Sequence, residues 1–179
     1  MMRQKRFLTI AVVGLVSVVL TSCLGEKIVV NRQVESSQDG ALLLGRQTLD
    51  QFHKEPFKDW FAKEYSDYTP HSEAIKSLKK AGINSTRISV FIGTWDTDSQ
   101  RVFSRLIKVL DVMKYPKAKL EIIALNRKKE SPAGEEAANN IHQLPTIIIR
   151  KYDKVLGRLV GNPKTGLLEQ DLVQVLNKK

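Results

Sequence analysis

Short apolar segments alternate with longer amphipathic segments through the second half of the chain, and this alternation limits the possible folds more than any other feature. Apolar strands that alternate with helices build a sheet covered on both faces, so the sequence predicts an α/β fold. The predicted strands are Arg87–Ile92, Leu120–Leu125, Thr146–Arg150 and Val155–Val160, and the predicted helices are Ser99–Met113, Pro132–Ile141 and Gly166–Leu176. A turn at Tyr152-Asp153-Lys154 joins the last two strands into a hairpin.

The two longer helices of this region each carry one apolar stripe, which predicts the face that they bury. In the first helix the stripe is Val102, Leu106, Val109 and Met113, with Phe103 and Leu110 beside it. In the last helix it is Leu168, Leu172, Val175 and Leu176.

The segment before this region predicts an N-terminal helical extension over residues 46–83. From Thr48 to Tyr68 aromatic residues recur at helical spacing, with Pro56 expected in a first helical turn. A second helix, Ser72 to Ala81, has Ser72 as its expected N-cap and Gly82 as its stop. The aromatic face has two interpretations: it packs the extension onto the main domain, or it forms a wall beside a ligand groove.

The first 22 residues have the pattern of a secretory signal peptide. Arg3, Lys5 and Arg6 precede an uncharged apolar run from Phe7 to Leu20, which is short for a membrane span. The run ends in Leu20-Thr21-Ser22-Cys23, which resembles the lipobox of bacterial lipoproteins. That resemblance implies cleavage before Cys23 and acylation of this residue, which is the chain's single cysteine. A chance cysteine after an ordinary signal peptide, or an uncleaved anchor, is the alternative.

The lipobox implies a protein held in the bacterial cell envelope by membrane lipid and facing the periplasm. Leu24 follows the cysteine where an aspartate retains many such proteins at the inner membrane, which favours the outer membrane.

We expect residues 23–45 to be a lipidated tether that includes a short strand at Ile28-Val29-Val30. We expect residues 46–179 to be one domain with its core at 86–178. The formal net charge of +10 falls to +7 without the three cations of the signal peptide. Because the remaining cations are scattered, we expect no nucleic-acid partner.

The most informative motif is divided between two segments. The loop Gly93-Thr94-Trp95-Asp96-Thr97-Asp98-Ser99 joins the first of these strands to its helix, and Leu144-Pro145-Thr146 begins another strand about fifty residues later. This pairing resembles the Trp-Cys-x-x-Cys loop and the cis-proline loop of the thioredoxin superfamily. Asp96 stands in the first cysteine position and Ser99 in the second.

The resemblance extends over about residues 86–176 and implies a thioredoxin-like fold. It is similar to a bacterial branch whose loop reads Trp-Cys-x-Asp-Ser or Trp-Cys-x-Asp-Cys, from which Asp96 departs. The matching residues are Gly93, Thr94, Trp95, Asp98, Ser99, Gln100 and Arg101, and later Gly157-Arg158-Leu159-Val160 with Pro163. In many members a buried aspartate lies six residues before the first cysteine, and here Val90 occupies that position.

The substitutions decide the expected chemistry. Disulfide exchange needs an attacking thiolate and a resolving thiol, and neither a carboxylate nor a hydroxyl can replace them. The resemblance implies that the residue before a cis-proline pairs its backbone with a bound peptide, so Trp95, Leu144, Pro145 and Thr146 are the expected binding edge. Alternatively, Pro145 only preserves the strand geometry. Asp96 or Asp98 is expected to be the helix N-cap, and the alternative is an acidic spot for a cation or a basic side chain.

Three functions follow from this reading. The first is a redox-inactive, membrane-anchored binding or scaffold module for a polypeptide of the cell envelope. The second is a relative of thiol-disulfide oxidoreductases that works with a partner's cysteines. The third is an enzyme that uses Asp96 and Asp98 in acid-base chemistry. No cofactor or metal is expected, because the two acids lack a supporting ligand and His53, His71 and His142 are separated, with His142 expected on an exposed loop.

Overall fold

The computed structural model describes residues 29–178. The predicted signal peptide, Cys23 and residues 24–28 of the predicted tether therefore lie outside the described residues. Among the described residues, no helix is long and apolar enough to cross a membrane.

Six strands form one mixed sheet in the order β1-β2-β4-β3-β5-β6. The strands are β1 (Arg32–Ser36), β2 (Gly40–Gln47), β3 (Arg87–Ile92), β4 (Leu120–Ala124), β5 (Thr146–Lys151) and β6 (Lys154–Val160). The helices are α1 (Lys58–Asp67), α2 (Ser72–Ala81), α3 (Thr97–Val112), α4 (Glu135–Ala138) and α5 (Leu168–Asn177). Short 3-10 helices lie at Leu49–His53, Ile83–Ser85 and Lys117–Lys119.

The strand directions confirm the predicted thioredoxin-like fold. Strand β3 is parallel to β4 and antiparallel to β5, and β5 pairs with β6 as an antiparallel hairpin. Helix α3 makes the crossover between the two parallel strands, and α5 follows the hairpin. All the strands and helices predicted after residue 86 are present, with ends shifted by a few residues.

The predicted tether is wrong for its second half. Strands β1 and β2 form an antiparallel hairpin, and Gly45–Gln47 of β2 pairs with β4, so this segment belongs to the sheet. The polar run that suggested a tether, residues 35–40, contains the end of β1, the turn Ser37-Gln38-Asp39 and the first residue of β2. The apolar residues after the turn make the second strand, and Leu43 among them is completely buried. The suggested strand at 28–30 is absent at Val29 and Val30, and Ile28 lies outside the described residues.

The helical extension is confirmed, but it is divided. Pro56 precedes α1, whose N-cap is Phe57, so the prediction that it lies in a first helical turn is wrong. The peptide bond before Pro56 is cis. Ser72 is the first residue of α2 rather than its N-cap, because His71 takes the cap position and its ring accepts the N–H of Ala74 at 3.4 Å. Gly82 ends α2 with a φ of 77°, as its type predicts.

The two faces of the sheet are covered differently. Helices α1, α2, α3 and α5 contribute to one large cluster on the first face. The aromatic residues of the extension belong to it: the rings of Phe52 and Phe103 lie 4.5 Å apart, and Phe57 and Phe61 are buried. This confirms that the aromatic face packs the extension onto the domain. The second face has a smaller cluster, formed by Phe91, Ile123, Leu125, Ile141, Leu144 and Ile148.

Candidate functional site

The fold brings the two halves of the predicted site together at one end of the sheet. Residues 93–99 follow β3, and residues 144–146 lead into β5, its antiparallel neighbour. The pairing register places Phe91, near the end of β3, opposite Thr146. Trp95 packs against the smaller apolar cluster, which contains Leu144. The peptide bond between Leu144 and Pro145 is cis, as the resemblance implies.

Asp96 and Ser99 form a closed hydrogen-bonded pair. The Ser99 hydroxyl donates to Oδ2 of Asp96 at 2.6 Å, and the Ser99 backbone N–H donates to the same oxygen at 2.9 Å. The Ser99 hydroxyl also accepts the N–H of Gly93 at 3.1 Å. Ser99 is completely buried. The two positions that the resemblance gives to a dithiol therefore hold a carboxylate and a hydroxyl that satisfy each other.

Asp96 is the N-cap of α3, which confirms the prediction that one of the two aspartates caps this helix. Its carboxylate lies at the positive end of the helix, where unpaired backbone N–H groups favour an anion. Asp98 instead forms a salt bridge with Arg101 on the surface of the first turn. The two acids do not converge on a common point. Thr97 between them is exposed.

The indole of Trp95 is held from two directions. Its Nε1 donates to the backbone carbonyl of Leu125 at 3.0 Å. A Cβ added to Gly93 would lie 2.7 Å from the indole ring, so only glycine leaves room for the ring in this orientation. The loop thus fixes one edge of the indole, and the side chain as a whole is half-buried.

The sequence did not predict the contacts that cover Trp95. The guanidinium of Arg127 lies 4.9 Å from the centre of the Trp95 ring. Asp39, in the β1–β2 turn, accepts from Arg127, with its Oδ2 2.8 Å from Nε. This hydrogen bond holds the pKa of Asp39 below its ordinary value and raises the pKa of Arg127. Nothing in the sequence indicates this contact, because the β1–β2 turn lies 88 residues before Arg127.

The segment around Pro145 is firmly held except at one residue. The carbonyl of Pro145 accepts the N–H of Gly161 at 2.8 Å, and the Thr146 hydroxyl donates to the carbonyl of Gln143 at 2.7 Å. The backbone N–H and C=O of Leu144, in contrast, make no hydrogen bond to another residue within 29–178. Its side chain is 8% exposed. Leu144 is therefore an apolar position with an unpaired peptide group.

A groove lies beside this site, between the β1–β2 hairpin and the loop at residues 126–130. It has a volume of about 350 Å³, and its wall includes Leu42, Leu44 and Arg127. The groove connects to Trp95 through Arg127.

Two other positions singled out in the sequence are His142 and Val90. His142 is exposed, as predicted. Across residues 29–178 no group of three or more histidine, cysteine, aspartate or glutamate side chains is placed to hold a metal ion. Val90 is completely buried in the main core, so the position of the buried aspartate in the resemblance is apolar here.

No protein-family model and no curated protein sequence matches this chain significantly. Solved structures do align with it. A crystal structure of an HIV epitope scaffold (4E10) aligns with a TM-score of 0.49 and 14% identity, covering 72% of this chain and 88% of the scaffold. A protein of unknown function from Pseudomonas aeruginosa aligns with a TM-score of 0.47 and 17% identity over the same shares. Oxidized thioredoxin O2 from Arabidopsis thaliana aligns with a TM-score of 0.34 and 21% identity, covering 54% of this chain and 81% of that one.

Proposed function

We propose that this protein is a lipid-anchored binding module that has no thiol chemistry of its own and holds a polypeptide partner in the cell envelope. The observation that carries this proposal is the Asp96–Ser99 pair. The Ser99 hydroxyl and Oδ2 of Asp96 bond to each other, and the backbone N–H groups of Gly93 and Ser99 donate to them. A carboxylate does not attack a disulfide productively, and a serine hydroxyl cannot resolve a mixed disulfide. The proposed function therefore depends on recognition rather than on exchange.

The binding edge consists of Trp95, Leu144, Pro145 and Thr146. An extended peptide that lies along Leu144 can donate to its free carbonyl and accept from its free N–H, as a strand added at a sheet edge does. The half-buried indole of Trp95 gives the same peptide an aromatic surface. The groove beside it continues this surface, with Leu42 and Leu44 as apolar contacts within a mostly polar wall. The partner that fits is an extended segment with apolar residues.

The anchor is the acylated Cys23, and it is supported by the signal-peptide and lipobox pattern of the sequence. Several acyl chains hold a protein stably at a bilayer, whereas one chain binds only marginally. The domain then faces the periplasm, with the outer membrane favoured by Leu24. Palmitate labelling of the wild-type protein, with Cys23→Ser as its control, tests this part. Equal labelling of the two proteins would refute the anchor.

An insulin-reduction assay with dithiothreitol tests the absence of thiol chemistry. We expect no turnover above background for the chain from residue 24 onward. The matched control is the double variant Asp96→Cys/Ser99→Cys, which restores a dithiol at the same two positions and is expected to form a disulfide and to gain activity. Turnover by the wild-type chain would overturn the binding-module proposal in favour of an oxidoreductase role.

Photo-crosslinking in the cell envelope tests the binding edge. A benzoylphenylalanine at position 97, which is exposed beside Trp95, is expected to give a defined adduct with a polypeptide. The matched control places the same group at Lys80, an exposed residue of α2. The variant Leu144→Asp should reduce the adduct at position 97. Equal adducts from positions 97 and 80 would contradict the proposed edge.

A further inference from the structure

A cavity lies at the opposite end of the sheet from Trp95. It has a volume of about 430 Å³ and opens between the beginnings of β3 and β4 and the ends of β2 and β5. Val30, at the start of the described chain, forms part of its wall. The proposed function does not use this cavity.

The cavity is positively charged. Arg46, Arg87, Lys119 and Arg150 line it, together with a single acid, Glu121. Arg46 forms salt bridges with Glu121 and also with Glu135. When Arg46 is paired with Glu121, the wall still contains three cationic side chains and no further acid. These cations are Arg87, Lys119 and Arg150. An anion entering the cavity therefore meets a favourable potential.

Two of the arginines are placed directly opposite each other. Arg87 of β3 pairs with Arg150 of β5 in the antiparallel register, so their side chains leave the same face of the sheet. Like charges in such a pair repel each other, which costs stability unless an anion lies between them. Arg87 is exposed and its side chain can turn toward a ligand.

A hydrogen-bonded chain across the sheet fixes the second arginine. Nη1 of Arg150 donates to the Ser89 hydroxyl at 2.9 Å, and Ser89 donates to Glu121 at 2.8 Å. Nη2 of Arg150 donates to the side chain of Asn139. Because a planar guanidinium held in this way loses little freedom on binding, Arg150 is prepared to bind an oxyanion.

We propose that this cavity binds the phosphate group of an anionic ligand, with Arg87 and Arg150 as the binding side chains. The Lys119 ammonium, which donates to the backbone carbonyl of Asn84 at 2.8 Å, adds positive charge to the wall. Arginine pairs match the geometry of phosphate oxygens and form strong, charge-assisted hydrogen bonds. Free phosphate and a phospholipid headgroup share this chemistry. The headgroup is the favoured source, because Val30 lies seven positions after Cys23 and a fully extended chain of that length spans at most about 25 Å. Only this choice of source depends on the proposed lipid anchor.

Isothermal titration calorimetry of the full chain in a neutral detergent tests the site. The ligands are inorganic phosphate, dihexanoylphosphatidylglycerol and dihexanoylphosphatidylcholine at low ionic strength. We expect saturable binding of the anionic ligands that weakens with added sodium chloride. Arg87→Gln should weaken binding about tenfold, because one charge-assisted hydrogen bond is lost. Lys80→Gln removes one positive charge from the surface of α2 and should leave binding unchanged. Circular dichroism checks that both variants are folded.

Each result decides between the sources or against the site. Phosphatidylglycerol binding that Arg87→Gln weakens, with no binding of phosphatidylcholine, supports the headgroup. Binding of inorganic phosphate alone, weakened equally, supports a site for free phosphate and overturns the headgroup. Equal binding by Arg87→Gln and the wild-type chain, or no saturable binding of any anionic ligand, overturns the site. None of these results depends on the peptide edge at Trp95.

Discussion

Asp96 and Asp98 are the same residue type, two positions apart in one loop, yet the structure gives them different energetic roles. We expect Asp96→Ala to destabilise the fold much more than Asp98→Ala. The Asp96 carboxylate accepts from both the N–H and the hydroxyl of the completely buried Ser99. Asp98 makes a salt bridge with Arg101, and both of these side chains are more than one-third exposed.

The magnitude follows from what each substitution removes. Loss of an N-cap costs about 1 kcal/mol. Asp96→Ala also leaves the buried Ser99 hydroxyl without its acceptor, which adds roughly 1–2 kcal/mol. The expected total is about 2–3 kcal/mol. Asp98→Ala removes only an exposed ion pair, worth about 0.5 kcal/mol or less. Asp96→Asn keeps a good N-cap side chain and should cost about 1 kcal/mol or less.

Urea denaturation of the chain from residue 24 onward, followed by circular dichroism, measures these free energies of unfolding. For an m-value of about 2 kcal/mol/M, Asp96→Ala should lower the midpoint by roughly 1 M. A double-mutant cycle of Asp96→Ala with Ser99→Ala should give a coupling energy of about 1 kcal/mol or more. Equal losses for the two aspartates, or additive effects within about 0.3 kcal/mol in the cycle, would refute the reasoning.

Three further results are expected from the geometry. Gly93→Ala should displace the Trp95 indole, because the new Cβ would lie 2.7 Å from the ring. Near-ultraviolet circular dichroism would detect this displacement, and an unaltered aromatic spectrum would contradict the prediction. Asp39→Asn should change the fluorescence of Trp95 in a Trp60→Phe background, because Arg127 loses its anionic partner. Arg127 holds the pKa of Asp39 below its ordinary value of 3.8. The wild-type protein should therefore show this fluorescence change only below pH 3.8, and a fluorescence transition near pH 6 would count against the Asp39–Arg127 contact as its cause. Burial raises the pKa of Tyr115 from 10.0 to about 12, so the folded state favours the protonated phenol. The contribution of the buried Tyr115 phenol to the free energy of unfolding should be present below pH 10 and lost as the pH rises through about 12. In urea denaturation at alkaline pH, Tyr115→Phe should therefore lose less stability than the wild-type protein. An identical dependence of stability on pH in the two proteins would exclude this role.

The regular part of the fold could be predicted because its signals are local. The stripe on α3 is buried as expected, and Arg87–Ile92 has the predicted bounds. The β1–β2 hairpin was missed because its turn residues, Ser37-Gln38-Asp39, are also typical of a tether. What distinguishes the two is the pairing of Gly45–Gln47 with β4, and that contact is made with a strand about 75 residues later.

The candidate site, like the fold, has local features that the sequence predicts and long-range contacts that it does not. Its loop and its proline could be found in the sequence because each is a short motif with fixed spacing. The contact of Arg127 with Trp95 and Asp39 could not, because it joins three segments that are distant in the chain. The positive cavity around Arg87 and Arg150 was missed for the same reason, since the two arginines meet only through the register of β3 and β5.

The sequence by itself determined the order of strands and helices after residue 86, the position of the cis-proline and the absence of cysteine from the loop, because each depends on residues that are neighbours in the chain. The tertiary structure decided that the Asp96 carboxylate and the Ser99 hydroxyl share a hydrogen bond, how Arg127 covers Trp95, and where positive charge collects. These features depend on side chains brought within a few ångströms by the register of the sheet. A linear pattern specifies which residues are available, whereas packing and pairing specify which of them meet.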